Sequence, residues 1–234
     1  MFLPDPIAIV AFFDNAIKPF GPVGYTSLAL ARAVPYVEND YKRFPNRISA
    51  GGNSLVPVTI GPPHTDEYDP NFHRYISLVT EGDIMAVLAG QTKDLRDRFG
   101  VVPRPSEGYA YGAGKWTIRQ MLGHVIDGER VFAYRALCIA RGETTPLPGF
   151  EEVDYAEHST LDATPLAELL DEFSLVREAN VLMFRHLPPV AWTRIGTANA
   201  IRISVRALAW IMAGHVRHHM NILRDRYLPG LPHR

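Results

Sequence analysis

The chain has a single cysteine, Cys138, among 234 residues. One thiol forms no intramolecular disulfide, and no cysteine-based zinc site can be built from it. A reducing, cytoplasmic setting fits that usage. An excess of one charge is also lacking: 24 Lys and Arg stand against 25 Asp and Glu, a formal net charge of -1. Such a balance gives no reason to expect nucleic acid or an anionic membrane as partner. Long apolar runs are absent. The stretch Ile7–Phe13 is short, lacks a basic leader and is flanked by Pro4, Asp5, Pro6 and Asp14. It fits neither a secretory signal nor a membrane span of ~20 residues. No period of about 20–50 residues repeats, which argues against a solenoid.

What is present divides the chain near residue 65. Ten of the 19 prolines fall in the first 70 residues. Each removes a backbone donor and clashes with the preceding turn, so long helices are excluded there. Residues 1–65 are expected to form a loosely ordered extension without recognised chemistry, with a short helix near Tyr25–Ala33. Residues 66–230 read as one domain, in a chain whose 47% hydrophobic and 21% charged residues suit a globular protein.

The domain is expected to be all-α, a four-helix bundle. The first helix is predicted from about Pro70 to Phe99, where Tyr75, Leu78, Val79, Gly82, Met85, Leu88, Thr92, Leu95 and Phe99 draw one face. The second starts at Thr117, with Gln120 placed for a capping box and Trp116 and Met121 for a hydrophobic staple. It is predicted to end near Gly142. The third begins at Thr164 with Pro165 at its first position and stops at Pro188-Pro189. The fourth begins at Ser204, with Ile203 and Leu208 as a second staple, and ends near Tyr227. Between the second and third helices, residues 142–164 show little periodicity. A connection that long predicts a crossover between two parallel neighbours. No strand pattern of comparable strength competes.

The nine histidines separate by placement. His64 and His233 lie near the ends, and His73, His158 and His186 sit at element edges, where a solvated histidine is expected. His215 and His219 share one face of the fourth helix, one turn apart within its apolar stripe. Two neutral imidazoles there need partners. One metal ion satisfies both; two core histidines hydrogen-bonded to other groups are the alternative. His124, beside Met121 and Val125 on the second helix, adds a third inward imidazole. Three nitrogens with open positions suit a catalytic metal better than a closed structural one. Imidazoles serve zinc, copper, iron and nickel, and among zinc, nickel, iron and manganese the residues do not choose. His218 points about 100° away from His219 and reads as a rim residue. Asp127, three residues after His124, is the candidate catalytic residue, as a base or as a group orienting a ligand imidazole; a salt bridge to Arg130 or Arg135 is the alternative. Glu129 lies off that face and reads as a solvated or interhelical ion-pair group. The protease motif H-E-x-x-H is absent, because Val216 follows His215.

Several separate segments resemble the DinB-like (YfiT-like) superfamily. They are Gly114-Lys115-Trp116-Thr117-Ile118, the run Gly123 to Leu137, Thr197-Ala198-Asn199, Ser204 to Leu208, and Ala213-Gly214-His215 through His219. The resemblance covers roughly residues 66 to 230. It implies a four-helix bundle with a long connection between its second and third helices. It also implies a metal site of one histidine from the second helix and two from the last, which are His124, His215 and His219 here. A homodimer acting on a small-molecule substrate is implied too. Characterised relatives include transferases and isomerases that use a low-molecular-weight thiol, as well as proteins described as metal-dependent hydrolases. The expectation is therefore a divalent-metal enzyme that activates a thiol or water, in first place a thiol S-transferase. A hydrolase or a non-catalytic, stress-related metal-binding module is the alternative. Where this chain has Val216, similar members often have Glu, and residues 1–65 have no counterpart in the resemblance.

Overall fold

The computed structural model describes residues 59–232. The helix expected near Tyr25–Ala33 and most of the expected extension lie outside the described residues, as does His233. The described residues form six α-helices: α1 His73–Ile76, α2 Ile84–Phe99, α3 Ile118–Ala140, α4 Glu152–Glu157, α5 Leu166–Arg185 and α6 Val205–Ile222. One antiparallel hairpin, β1 Ile195–Ala198 with β2 Ile201–Ser204, precedes α6. The expected four-helix bundle is the observed one, built from α2, α3, α5 and α6. No described helix is long and apolar enough to cross a membrane.

The caps fall where local chemistry puts them. The Thr117 side chain accepts from the Gln120 backbone N–H, and the Gln120 side chain accepts from the Thr117 N–H. Ser204 caps α6 by accepting from the Ala207 N–H. α3 ends at Ala140, followed by Gly142 at φ +89°, a left-handed conformation that glycine adopts without strain.

The first expected helix is not continuous. It is split into α1 and α2 by residues 77–83. Asp83 accepts from the Met85 N–H and starts α2 afresh. Arg217 of α6 donates to the Leu78 carbonyl at 2.8 Å and pairs with the Glu81 carboxylate at 2.7 Å, contacts that hold the segment between the two helices against α6. The break frees α1 to lie against α6 rather than run on with α2. A Cβ on Gly214 would fall onto the Tyr75 carbonyl oxygen, so only glycine admits this approach.

Two further elements were not expected. The hairpin turns at Asn199 and Ala200, both at positive φ (51° and 58°), which matches a two-residue type I′ turn. Inside the long connection lie α4 and a short 3₁₀ turn at Leu161–Ala163.

Contacts along the helices fix the topology. Arg119 of α3 donates to the Asp162 carbonyl just before α5, and further along Glu129 of α3 meets Arg177 of α5. Their starts and their middles coincide, so α3 and α5 run parallel, as the long crossover predicts. By the same reasoning α2 is antiparallel to α5, because Arg96 near its end reaches Asp171 near the start of α5. His124 near the start of α3 meets His219 near the end of α6, so these two are antiparallel.

Two apolar clusters fill the bundle, one around Leu88, Phe132, Phe184 and Leu208, the other around Phe99, Leu122, Phe173 and Leu223. A buried polar network ties the four bundle helices together. Arg177 of α5 grips Glu129 of α3 through Nε and Nη2, each at 2.7 Å. Its Nη1 donates to the Gln91 side-chain oxygen of α2, also at 2.7 Å. Gln91 in turn donates to the Ala213 carbonyl of α6 at 2.7 Å. Asn180 adds a 3.0 Å bond to Glu129.

Candidate metal centre

α3 and α6 bring His124, His215 and His219 together in the bundle interior. The His124 and His215 Nε2 atoms lie 2.9 Å apart, and those of His219 and His215 lie 3.1 Å apart. The three residues are 4–7% exposed. They form the group of metal-ligating side chains found among the described residues, with one ligand atom each and all within 4.8 Å of one another.

The rings are held from several sides. His215 rests on Gly128 of α3, where an added Cβ would stand 3.0 Å from its Cε1 and 3.3 Å from its Nδ1. Phe132 meets His215 edge-on at 5.8 Å between centroids, and Tyr75 of α1 does so at 5.5 Å. Trp116, just before α3, lies against His124 at 4.8 Å. The staple position thus also walls the centre.

Burial holds all three imidazoles neutral. The His124 ring is lowered to about 4, first by desolvation and then by the charge of His218. His215 and His219 are lowered well below the ordinary histidine value, again first by desolvation. A neutral imidazole has one N–H and one in-plane lone pair. The single Nε2 of His215 therefore makes one good hydrogen bond, although two other Nε2 atoms face it. In addition, Nδ1 of His124 and of His219 is buried without a partner among the described residues. Three Nε2 atoms crowded on one point cannot all be satisfied by one another, and one cation taking their three lone pairs at once resolves that conflict, while the two Nδ1 atoms are outside it. Two imidazole nitrogens on one tetrahedral zinc, at about 2.0–2.1 Å each, stand roughly 3.3 Å apart. The observed separations are close to that, so the residues fit a divalent ion.

The structure does not bring Asp127 into this group. Asp127 is half-buried, and burial raises its carboxyl, opposed by Arg130 and reinforced by Glu172 of α5. Its charged neighbours thus lie toward α5, not α6. Neither expected salt bridge forms: Arg130 pairs with Glu172 at 2.8 Å, and Arg135 donates to the Pro148 carbonyl. Glu129 is the interhelical ion-pair group, fully buried rather than solvated. His218 is half-buried at the rim, edge-on to Tyr75 at 5.3 Å and to His219 at 5.1 Å. Burial, and then Arg74, lower its ring. His64, His73, His158 and His186 are exposed.

Tyr75 and Arg74 were missed as neighbours of the centre. The Arg74 guanidinium lies 4.7 Å above the Tyr75 ring. Tyr75 carried the signal of an apolar stripe, but the break before α2 turned it toward the histidines.

An all-helical bundle with a buried cluster of three neutral histidines is the class that fold and site define. The chain belongs to the DinB superfamily, whose model matches residues 79–223, more than half of its length. Its fold is similar to that of YfiT from Bacillus subtilis, with a TM-score of 0.57 and 16% identity, covering 72% of this chain and 93% of YfiT. YfiT is described as a probable metal-dependent hydrolase with an unusual four-helix bundle topology. No curated protein matches the chain.

Proposed function

We propose that the chain is a metal-dependent enzyme in which His124, His215 and His219 hold one divalent ion and a small nucleophile is activated beside it. The observation that carries this reading is the convergence of three neutral Nε2 atoms in the bundle interior, with separations of 2.9 and 3.1 Å. Bound there, a divalent ion supplies Lewis acidity that ionises a thiol or a water near neutral pH. The chain's own residues set the geometry. Gly128 and Phe132 fix the His215 ring, Trp116 covers His124, and Tyr75 with His218 forms the rim.

Thiol S-transfer is the favoured reaction. Among the described residues no carboxylate belongs to the histidine group, which leaves it without a carboxylate general base of its own. A thiol needs none once it is ionised, and the thiolate is itself the nucleophile. Hydrolysis is the second reading. It is supported by the likeness in fold to YfiT, described as a probable metal-dependent hydrolase.

The test is a screen of low-molecular-weight cellular thiols with generic electrophiles, run beside ester and amide substrates on metal-loaded protein. Thiol consumption that disappears in His215→Ala is expected. Ester or amide turnover without thiol consumption would transfer the assignment to hydrolysis. Inertness in every arm, with chelator lowering only the melting temperature, would leave a structural ion and end the enzymatic reading.

A further inference from the structure

Two arginines are buried among the described residues, Arg177 and Arg135. Arg177 has the Glu129 carboxylate, both of whose oxygens accept from it. Arg135 has no carboxylate within ion-pair distance among the described residues, and its one hydrogen bond there runs from Nη2 to the Pro148 carbonyl, at 2.8 Å. Its Nε–H is buried without a partner. The Phe150 ring, 5.8 Å from the guanidinium carbon, is the other group across it. A guanidinium offers five donors and a permanent charge. An arginine this far buried with no carboxylate beside it and an unpartnered Nε–H calls for an explanation.

Its position supplies one. Arg135 continues the line His124, Gly128, Phe132 along α3, and the His215 ring touches both Gly128 and Phe132. Helical side chains lean toward the helix N-terminus, which here is the direction of His124. Arg135 lies eleven positions after His124 on α3, roughly 16 Å along the axis. Pro148 and Phe150, from the crossover, close over the guanidinium.

We infer that Arg135 receives a carboxylate of the small molecule that reacts at the histidine centre. The reacting end rests on the function proposed above; the anion site does not. One guanidinium balances one negative charge, which selects a monoanion over a phosphate dianion. A planar carboxylate also matches the guanidinium fork. The ligand so defined is a carboxylic acid long enough to span the two sites, with its middle against Phe132.

Arginine side-chain Nε–H NMR spectra of the full chain test this directly. The Arg135 resonance is identified by its absence from Arg135→Lys. Propionate is titrated at constant ionic strength, with propionamide and inorganic phosphate as parallel arms. The expected result is a saturable shift of the Arg135 signal with propionate, at least tenfold weaker with propionamide. No movement, equal movement with propionamide, or tighter binding of phosphate would overturn the assignment. Calorimetry on Arg135→Gln is expected to show at least a tenfold loss of propionate affinity; if that variant does not fold, the wild-type titration decides alone. The double variant His215→Ala, His219→Ala is expected to lose the ion and keep the Arg135 response. A failed metal centre therefore leaves this inference standing, and a silent Arg135 signal overturns it with the metal centre intact.

Discussion

Removing the charge of Glu129 probes the layer that holds the four helices in register. Its carboxylate and the Arg177 guanidinium have side chains only 1% exposed, and both oxygens accept from Arg177 at 2.7 Å. Glu129→Gln keeps the shape and leaves the guanidinium buried beside a neutral amide. Breaking a buried pair from one side costs about 3–5 kcal/mol, because the remaining charge is uncompensated. Domains of this size are stable by about 5–15 kcal/mol, so roughly a fifth or more of the total is at stake. At roughly 2–4 °C per kcal/mol, the melting temperature should fall by about 6–20 °C. Arg177→Met should cost a similar amount. The double variant Glu129→Leu, Arg177→Met should cost much less than the two singles together, since apolar replacement of a whole buried pair is often neutral. Urea denaturation with an unchanged slope is the assay, read as a double-mutant cycle. A loss below about 1 kcal/mol in Glu129→Gln, the range of an exposed pair, would refute the reasoning.

Other outcomes follow from the packing around the histidines. Gly128→Ala should push the His215 ring aside and weaken metal affinity by about tenfold or more, read by competition with a chromophoric chelator. Gly214→Ala should destabilise the domain by about 1–3 kcal/mol or more, because the new methyl meets the Tyr75 backbone rather than a movable side chain. In metal-free protein the folded His124 value of about 4 lies below the unfolded value of 6.5. The unfolded state therefore binds more protons between those values, and stability should be full above pH 6.5 and decline as pH falls toward 4. His124 alone accounts for about 3 kcal/mol of that loss, and a flat stability profile over this window would contradict it.

The helices that carry the histidines were legible because caps and periodicity agree there. Thr117 with Gln120, and Ser204 with Ile203 and Leu208, mark both starts in residue types that act locally. The pair His215 and His219 was legible because a spacing of four fixes one face. Asp127 was harder to place. Three residues from His124 is an offset of about 60° around the axis, and here that is enough to leave the carboxylate outside the histidine group. The split between α1 and α2 was hidden because apolar spacing runs unbroken across Gly82 and Asp83, while the partners that end the helix, such as Arg217, come from α6. The hairpin was hidden by its turn, Asn199-Ala200, which lacks the glycine that usually announces positive φ. Arg135 reads only as a possible partner of Asp127, and Arg177 gives no signal, because nothing in a single chain shows which buried group an arginine will meet.

The central claim is that His124, His215 and His219 bind one ion, and metal content tests it most directly. Protein purified without an affinity tag, then measured by elemental analysis, should carry one divalent ion per chain. His124→Ala should weaken retention, and the double variant His215→Ala, His219→Ala should abolish it while remaining folded. A full equivalent of metal in that double variant, or none in the wild type after loading, would contradict the account.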